Sequence, residues 1–225
     1  MVEEYLGFLG NSLVLTGVTV AVCLVVSVIV TNARRFGHPR AVAVSNRVSS
    51  VGYAVPGPVV GMGVVLALVA LDDRLDGIGL GLPGSVATGS FVALAYAYVI
   101  RFLAPGMGSV EAGLGQVPEE VTSSARTLGA PPRRVMWRIH LPLCRTSVLA
   151  AAVLVGVDAL KELPIAYLLR PVGFDTLPVW VYNLASESRF EQAALPALTI
   201  VAVALIPVAM LSRHLDRPET HTSSR

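Results

Sequence analysis

The chain has 225 residues, of which 54% are hydrophobic and 14% are charged, and its formal net charge is +2. A soluble domain of this length normally carries about a quarter of charged residues, so the composition indicates an integral membrane protein. The near-neutral charge, with no basic tract interleaved with aromatic residues, argues against a nucleic-acid partner.

Gaps between charged residues mark the candidate membrane spans. Asp, Glu, Lys and Arg are absent from four stretches, 5–33, 48–71, 77–100 and 192–212, and each can hold the roughly 20 apolar residues that a bilayer core requires. A fifth stretch, 143–163, contains charges near its end but has an apolar centre. We therefore predict an all-α, polytopic helical membrane protein with about five spans, at 12–32, 50–71, 85–104, 143–163 and 193–212.

The distribution of basic residues predicts how the chain is oriented in the membrane. The loops after the first and third spans are rich in arginine, whereas the loop after the second is acidic. Because basic residues are enriched on the cytoplasmic side, we expect the N-terminus outside and the C-terminus in the cytoplasm. Residues 1–217 would form a single transmembrane domain, and 218–225 a cytoplasmic tail.

The first apolar run has a second interpretation, as a secretory signal peptide. However, the residues before it are acidic rather than basic, and the run is long for the apolar region of a signal peptide. Arginines follow the run instead of preceding it. These features favour a true membrane span.

A polar segment, residues 118–142, interrupts the apolar runs between the third and fourth spans. A helical pattern ends at Gly129, a residue type that readily adopts the left-handed conformation of a helix end. Pro131 and Pro132 can then begin a second helix. We predict two short helices at a fixed angle, which we call the hairpin. Its candidate apolar contacts are Val121, Ala125, Leu128, Val135 and Trp137.

The hairpin resembles the EAA loop of binding-protein-dependent (type I) ABC importer permeases. The pattern of that loop is Glu-Ala-Ala, three residues, Gly, nine residues, Ile, one residue and Leu-Pro, and both spacings are kept here. In that family the loop docks in a groove of the ATP-binding subunit, so the resemblance implies the same coupling role. The implied coupling residues are Glu120, Ser123, Ser124, Ala125, Arg126, Gly129, Ile139, Leu141 and Pro142.

The first two positions of the motif depart from the family pattern. Ser123 and Ser124 replace the usual Glu and Ala, which implies the loss of one polar docking contact. Glu119 or Glu120, about one helical turn earlier, is the candidate substitute. The half of the motif from the glycine to the proline is intact.

Later segments resemble the second half of ferric-iron transport permeases, namely Lys161–Pro164, Leu168–Pro171, Phe174–Leu177 and Glu191–Pro196. The resemblance implies ferric iron as the substrate, although permeases for thiamine, phosphonates, polyamines or sulfate share the scaffold. Ferric-iron permeases usually carry two such halves in one polypeptide. The sequence leaves open whether this chain dimerises with itself, pairs with a separate permease, or is a truncated reading frame.

The resemblance implies a transport subunit that is not itself an enzyme. The chain has no GxxxxGK[ST] sequence to bind phosphates, so ATP is expected on a separate ATP-binding cassette subunit, and no cofactor or metal on this chain. The other expected partners are membrane lipid, a periplasmic or extracellular substrate-binding protein and a second permease half, all at the bacterial cytoplasmic membrane. The alternative class is a membrane enzyme or a non-transporting scaffold. Against an enzyme, the predicted spans contain no histidine and no Ser/His or HExxH pairing.

Three ionisable residues near the end of the fourth span are candidates for the translocation path or a gate: Asp158, Lys161 and Glu162. Charges at membrane depth are often functional. The alternative is that Asp158 and Lys161, three residues apart on one helix, only neutralise each other. Arg101, near the inner end of the third span, is expected to extend toward the lipid headgroups.

Overall fold

The computed structural model describes residues 2–37, 39–77 and 89–215. Every regular element within those ranges is helical, so the predicted all-α fold is confirmed. In chain order the helices are α1 (Val2–Arg35), α2 (Pro39–Ala54), α3 (Gly57–Gly77), α4 (Phe91–Gly115), α5 (Glu119–Thr127), α6 (Pro132–Val135), α7 (Leu141–Leu143), α8 (Arg145–Leu160), α9 (Pro164–Leu169), α10 (Leu177–Ser186) and α11 (Phe190–Leu215). One π-helical turn, Met136–His140, lies between α6 and α7.

Three of these helices are long and apolar enough to cross a membrane, namely α1, α4 and α11. Two more candidate spans exist only if a bent pair of helices is counted as one span, Ala43–Ala54 with Gly57–Gly77 and Pro132–Leu143 with Arg145–Leu160. The described residues therefore provide three to five candidate spans. The predicted number of five corresponds to the upper end of that range.

The predicted span 50–71 is not one straight helix, which corrects the sequence interpretation. The chain bends by 113° between α2 and α3, at Val55 and Pro56. Proline cannot donate a backbone hydrogen bond, and it disfavours the helical conformation at the residue before it. A search for gaps between charges does not detect this break, because an uncharged run with a proline remains uncharged.

The bounds of the other spans also differ from their sequence-based ranges. The beginning of 85–104 and the tail 218–225 lie outside the described residues, and α4 starts at Phe91, where the Ser90 hydroxyl accepts a hydrogen bond from Ala93 N at 3.1 Å. The stretch 143–163 corresponds to α8 alone, which ends at Leu160 and bends by 78° from the preceding helix. The ranges 12–32 and 193–212 lie within α1 and α11.

Helices α1, α4 and α8 pack together around the largest apolar core. Its buried members include Leu15, Cys23, Leu94, Ala97 and Val155. The face of α1 that points into the protein also carries small polar residues, all buried: Ser12, Thr19, Ser27, Thr31 and Asn32. Small and polar side chains allow close helix contact within a membrane, whereas the opposite face of α1 exposes large apolar side chains that suit lipid.

The three-helix group has two distinct ends. At the hairpin end, α1 and α4 terminate at Arg35 and Gly115, and α5 follows after a three-residue linker, 116–118. At the opposite end, the ring of Phe91 contacts that of Phe174 with centroids 5.3 Å apart, and α10 packs on the start of α1 through Trp180 and Phe8, whose centroids are 5.0 Å apart. The hairpin is thus attached to one end only.

Candidate functional site: the hairpin and its attachment

The first hairpin helix ends at the glycine that the sequence identifies as its end. Gly129 has φ of +78°, a conformation that side chains with a Cβ rarely adopt. Its N–H donates to Arg126 O at 2.9 Å, and Ala130 N donates to Ala125 O at 3.0 Å. These two bonds form a Schellman motif, which satisfies carbonyls at the end of α5 and fixes the direction of the next segment.

The second arm of the hairpin begins at a proline pair and contains an irregular turn. Pro131 precedes α6 with φ of −68°, and Pro132 is its first residue, as the sequence predicts. The π-helical turn then follows, closed by a bond from Leu141 N to Met136 O. Pro142 has no N–H for the carbonyl four residues earlier. The sequence did not predict this π-helical turn.

Exposed side chains form the outer surface of the hairpin. Leu128 at its tip is 88% exposed and Trp137 is 48% exposed, although both are large and apolar. Val135 is instead fully buried, and Val121 packs against a small cluster at the hairpin end of α4. The predicted apolar set therefore divides into inward contacts and a free surface. Around that surface lie exposed charges, namely Glu119, Glu120, Arg126, Arg133, Arg134 and Arg138.

The two serines of the motif do not offer the polar contact that the glutamate of the family pattern would provide. The Ser123 hydroxyl donates to Glu119 O at 3.0 Å and lies 3.2 Å from Glu120 O, so it is engaged with its own helix. Ser124 is exposed. Of the other motif residues, Ala125, Ile139 and Leu141 are half-buried, whereas Pro142 is exposed. Glu119 and Glu120 lie in the first turn of α5, where the helix dipole favours negative charge.

A buried chain of hydrogen bonds connects both arms of the hairpin to α1. Thr122 Oγ1 on α5 lies 2.9 Å from His140 Nε2, and His140 Nδ1 lies 2.5 Å from Asn32 Oδ1. The Asn32 amide is oriented by its Nδ2, which donates to Val28 O at 2.8 Å. Asn32 Oδ1 must therefore accept from Nδ1–H, and the neutral ring accepts the Thr122 hydroxyl proton at Nε2.

Arg35 links the same end of α1 to the base of the hairpin. Its Nη2 donates to Leu114 O at 2.7 Å and to Val117 O at 2.6 Å, so it satisfies a carbonyl in the last turn of α4 and another in the linker. Burial lowers the pKa of His140, and the positive charge of Arg35 lowers it further. Both effects favour the neutral ring that the hydrogen-bond geometry requires.

Sequence analysis did not identify these attachment residues as functional. In the sequence, Arg35 is only one of the arginines that follow the first span, and His140 lies outside the predicted spans. The available signal was Asn32, a polar residue at the end of a long apolar run, since polar groups in membrane helices usually have a defined partner. The partner itself is 108 positions away, which periodicity cannot indicate.

A second polar cluster lies where the broken helices meet, near the other end of α8. Arg101 Nη1 donates to Val55 O and lies 3.2 Å from Tyr53 O, while its Nε is 3.8 Å from Glu162 Oε2. The expected extension of Arg101 toward the headgroups is therefore wrong. The guanidinium points inward because the break at Pro56 leaves the carbonyls of Tyr53 and Val55 without helical partners.

The three predicted gate residues do not form one group. Lys161 Nζ and Asp158 Oδ1 form an ion pair at 2.8 Å, and the Lys161 side chain is 64% exposed. Glu162 is buried and faces Arg101 instead, and its Oε1 accepts from Ile165 N at 3.3 Å. A Cβ at Gly57 would lie 2.7 Å from that same oxygen, so a side chain there would require the Glu162 carboxylate to move.

Comparison with known proteins relates this architecture to membrane transporters. The family described as "binding-protein-dependent transport system inner membrane component" matches residues 24–218. An Fe(3+)-transport system permease protein of Haemophilus influenzae, FbpB 2, is 24% identical over 213 residues, 94% of this chain and 40% of that protein. The putative 2-aminoethylphosphonate permease PhnV of Salmonella typhimurium is 25% identical over 164 residues, 73% of this chain and 57% of that protein. The chain thus spans about half the length of these curated relatives.

Solved structures share the fold. A bacterial ABC transporter that imports the acidic polysaccharide alginate superposes with a TM-score of 0.73 at 17% identity, over 94% of this chain and 79% of that one. An amino acid ABC transporter superposes with a TM-score of 0.59 at 20% identity, over 93% of this chain and 92% of that one. At these identities the likeness concerns the fold alone.

Proposed function

Because this chain belongs to the family of binding-protein-dependent transport system inner membrane components, we propose that it is the permease subunit of an ATP-driven importer and that residues 118–142 are its coupling element. The scaffold is that of an ABC importer permease. ATP would bind and be hydrolysed on a separate subunit. This chain would contribute the membrane path and the surface on which that subunit acts.

The observation that carries the proposal is the geometry of the hairpin. It follows α4 directly, precedes α8 directly, and exposes apolar Leu128 and Trp137 among charged residues. Exposed aromatic and apolar groups ringed by polar residues are typical of protein contact surfaces. A rigid hairpin transmits displacement into the helices at its two ends, whereas a flexible loop would absorb it.

The motif residues are proposed to have different roles in coupling. Gly129 fixes the angle between the arms, and Ile139, Leu141 and Pro142 lie in the arm that leads into α8. Ser123 and Ser124, with Ala125 and Arg126, belong to the arm that would face the ATP-binding subunit. Since both serines lack a carboxylate, Glu120 is the proposed acidic contact.

The proposed orientation has the hairpin in the cytoplasm, where ATP is available. The arginine-rich loops support this orientation, with the N-terminus outside and the C-terminus inside. A substrate-binding protein would then approach the opposite end of the bundle, near α10. A second permease half, either a copy of this chain or a related subunit, would complete the path.

Ferric iron is the first candidate substrate, because one relative is named as an Fe(3+) permease and matches 94% of this chain. 2-Aminoethylphosphonate is the second, supported by the relative of that name at nearly equal identity. Both are small solutes that a shared scaffold can accommodate. Uptake of radiolabelled iron(III) and of labelled 2-aminoethylphosphonate, measured side by side in cells that express the operon, distinguishes them.

Asp158, Lys161 and Glu162 are proposed to line or gate the path, with different roles. The Asp158–Lys161 pair is partly open to solvent, so a passing solute could meet it. Glu162, paired with Arg101 at the junction of the broken helices, would instead hold these helices together. In the proposed form of gating, the helices at that junction move relative to one another and so change the shape of the path.

The coupling proposal is tested with substitutions at Gly129. Gly129→Pro should abolish ATP-driven uptake while the protein still inserts, because proline requires φ near −65° and lacks the N–H that bonds to Arg126 O. Gly129→Asn is the matched control, since asparagine tolerates the left-handed conformation. Unchanged uptake by Gly129→Pro, at wild-type levels in the membrane fraction, would refute the coupling role.

A further inference from the structure

We propose that His140 is a positioning residue that fastens the hairpin to the end of α1, through Asn32, so that the hairpin and the α1–α4–α8 group move as one body. The proposal rests on the coupling function of the hairpin and goes beyond it. The coupling function as proposed acts through α4 and α8, the helices before and after the hairpin in the chain. The hydrogen bonds add α1, which has no direct covalent connection to it.

The fastening is built from buried neutral groups. His140 is 1% exposed, Asn32 4% and Thr122 5%. Asn32 and His140 each have a partner on both sides, and the chain runs from Val28 O through these two residues to Thr122. A buried polar network in which every member is satisfied rigidifies its surroundings. The ring of Phe36 covers the imidazole at a centroid distance of 6.1 Å and an angle of 22°.

The surroundings explain why hydrogen bonds are needed at this place. A cavity of about 890 Å³ lies between α5 and the end of α1, lined by polar residues that include Arg35, Thr122 and Arg126. Apolar packing therefore does not fill the space between the first hairpin arm and α1. The hydrogen bonds at the edge of the cavity connect the first hairpin arm, through His140, to α1.

Two flexible points would absorb displacement if the connection were absent. The linker 116–118 joins α4 to α5, and the chain bends by 78° where the second arm meets α8. The second arm also packs against the cluster that contains Val28 of α1, through Met136 and Leu141, but apolar contacts are not directional. A force on Leu128 could therefore still rotate the hairpin about these points. With His140 bonded to Asn32, rotation of the hairpin requires movement of α1.

Two substitutions of His140 separate the bond to α1 from the bond within the hairpin. His140→Asn keeps an amide N–H at the same number of bonds from Cα as Nδ1, and so can still donate to Asn32. His140→Gln extends one bond further, to the level of Nε2, and so retains the contact with Thr122 but loses that with α1. Asn32→Leu removes the acceptor at nearly constant side-chain volume.

The experiment measures distances in the complete transporter, purified with its ATP-binding subunit. Spin labels at Val25→Cys on α1 and Arg134→Cys on α6, in the arm that carries His140, report the position of the hairpin, and the native Cys23 and Cys144 are buried. The wild-type background and His140→Asn should give one narrow distance that is the same without nucleotide and with ATP plus vanadate. His140→Gln and Asn32→Leu should broaden it, and should move about tenfold less substrate per ATP hydrolysed.

The outcomes decide between rigid and hinged coupling. A wild-type distance that changes between the two nucleotide states, or a His140→Gln protein with normal width and normal coupling, would overturn the proposal. If the wild type hydrolyses ATP without transport, the coupling function fails instead. The nucleotide-free widths still test the fastening in that case, because equal widths in all variants would refute it.

Discussion

Arg101 is a single charged residue within an apolar segment, and its contacts hold several helices together. Its guanidinium lies between the carbonyls freed at Pro56 and the carboxylate of Glu162. Tyr98, one helical turn before it, donates through its hydroxyl to Glu162 O at 3.1 Å. The cost of burying these groups is offset only while all of them are paired.

Removal of Arg101 should therefore destabilise the protein strongly. Arg101→Met leaves the Glu162 carboxylate buried without its cation, which costs about 3 kcal/mol or more and should lower the melting temperature in detergent by roughly 6–12 °C. Lys161→Met is the matched control, because the lysine it removes is 64% exposed, and ion pairs open to solvent contribute about 1 kcal/mol or less. Equal losses in both variants would contradict the structural role of Arg101.

The buried position of His140 should make the stability of the protein depend on pH. Its pKa in the folded protein lies below the ordinary value of about 6.5, because of burial and Arg35. As pH falls below about 6.5, the unfolded chain binds a proton that the folded chain excludes, so stability is present above this pH and decreases below it. Each pH unit in that window costs up to about 1.4 kcal/mol.

The measurement is the melting temperature at pH 7.5 and at pH 5.5, for wild type and His140→Asn. The wild type should lose more stability on acidification than the variant, which has no titratable group at this position. Parallel losses in the two proteins would show that folding does not lower the pKa of His140.

At the scale of the elements, α4 and α8 depend on a close approach next to the hairpin. A Cβ at Gly113 would overlap the Oγ and Cβ atoms of Ser147 on α8. Gly113→Ala should therefore force the two helices apart and cost about 1–3 kcal/mol. Gly108→Ala in the same helix is the control, since no atom lies within 4 Å of its added Cβ.

A compensating substitution identifies the cause of the loss. Ser147→Gly removes the side chain that the new methyl group meets, so the double variant should regain part of the melting temperature that Gly113→Ala loses. If Ser147→Gly only adds its own loss, the two positions are independent and the close approach is not the reason.

The elements also show which features a single sequence can reveal. The hairpin was predictable because its signals are local, with a glycine that ends one helix and prolines that begin the next. The break at Pro56 was missed because charge gaps measure composition and not continuity. The contact of Arg101 with Glu162 was not predictable, since it joins residues 61 positions apart, and Glu162 lies just after the end of α8 at Leu160.

At the scale of the whole molecule, the helices differ greatly in how far the chain covers them. Of the most apolar window of α4, 44% is buried within the chain, against 6% for α11. Composition predicts that both helices span the membrane. It cannot predict how much of each helix is buried within the chain, because burial depends on which helices pack together. A surface this apolar suits lipid or a second permease half, in agreement with the proposed assembly.

The measurement that tests the coupling account most directly is affinity purification of the tagged chain from native membranes, with mass spectrometry of its partners. The compared proteins are wild type, Leu128→Glu at the hairpin tip, and Val172→Glu, an equally apolar and exposed position at the opposite end of the bundle. An ATP-binding cassette subunit should accompany wild type and Val172→Glu, and its recovery should fall about tenfold or more with Leu128→Glu. Recovery that is unaffected by Leu128→Glu, or a well-folded wild type without any ATP-binding partner, would contradict the account.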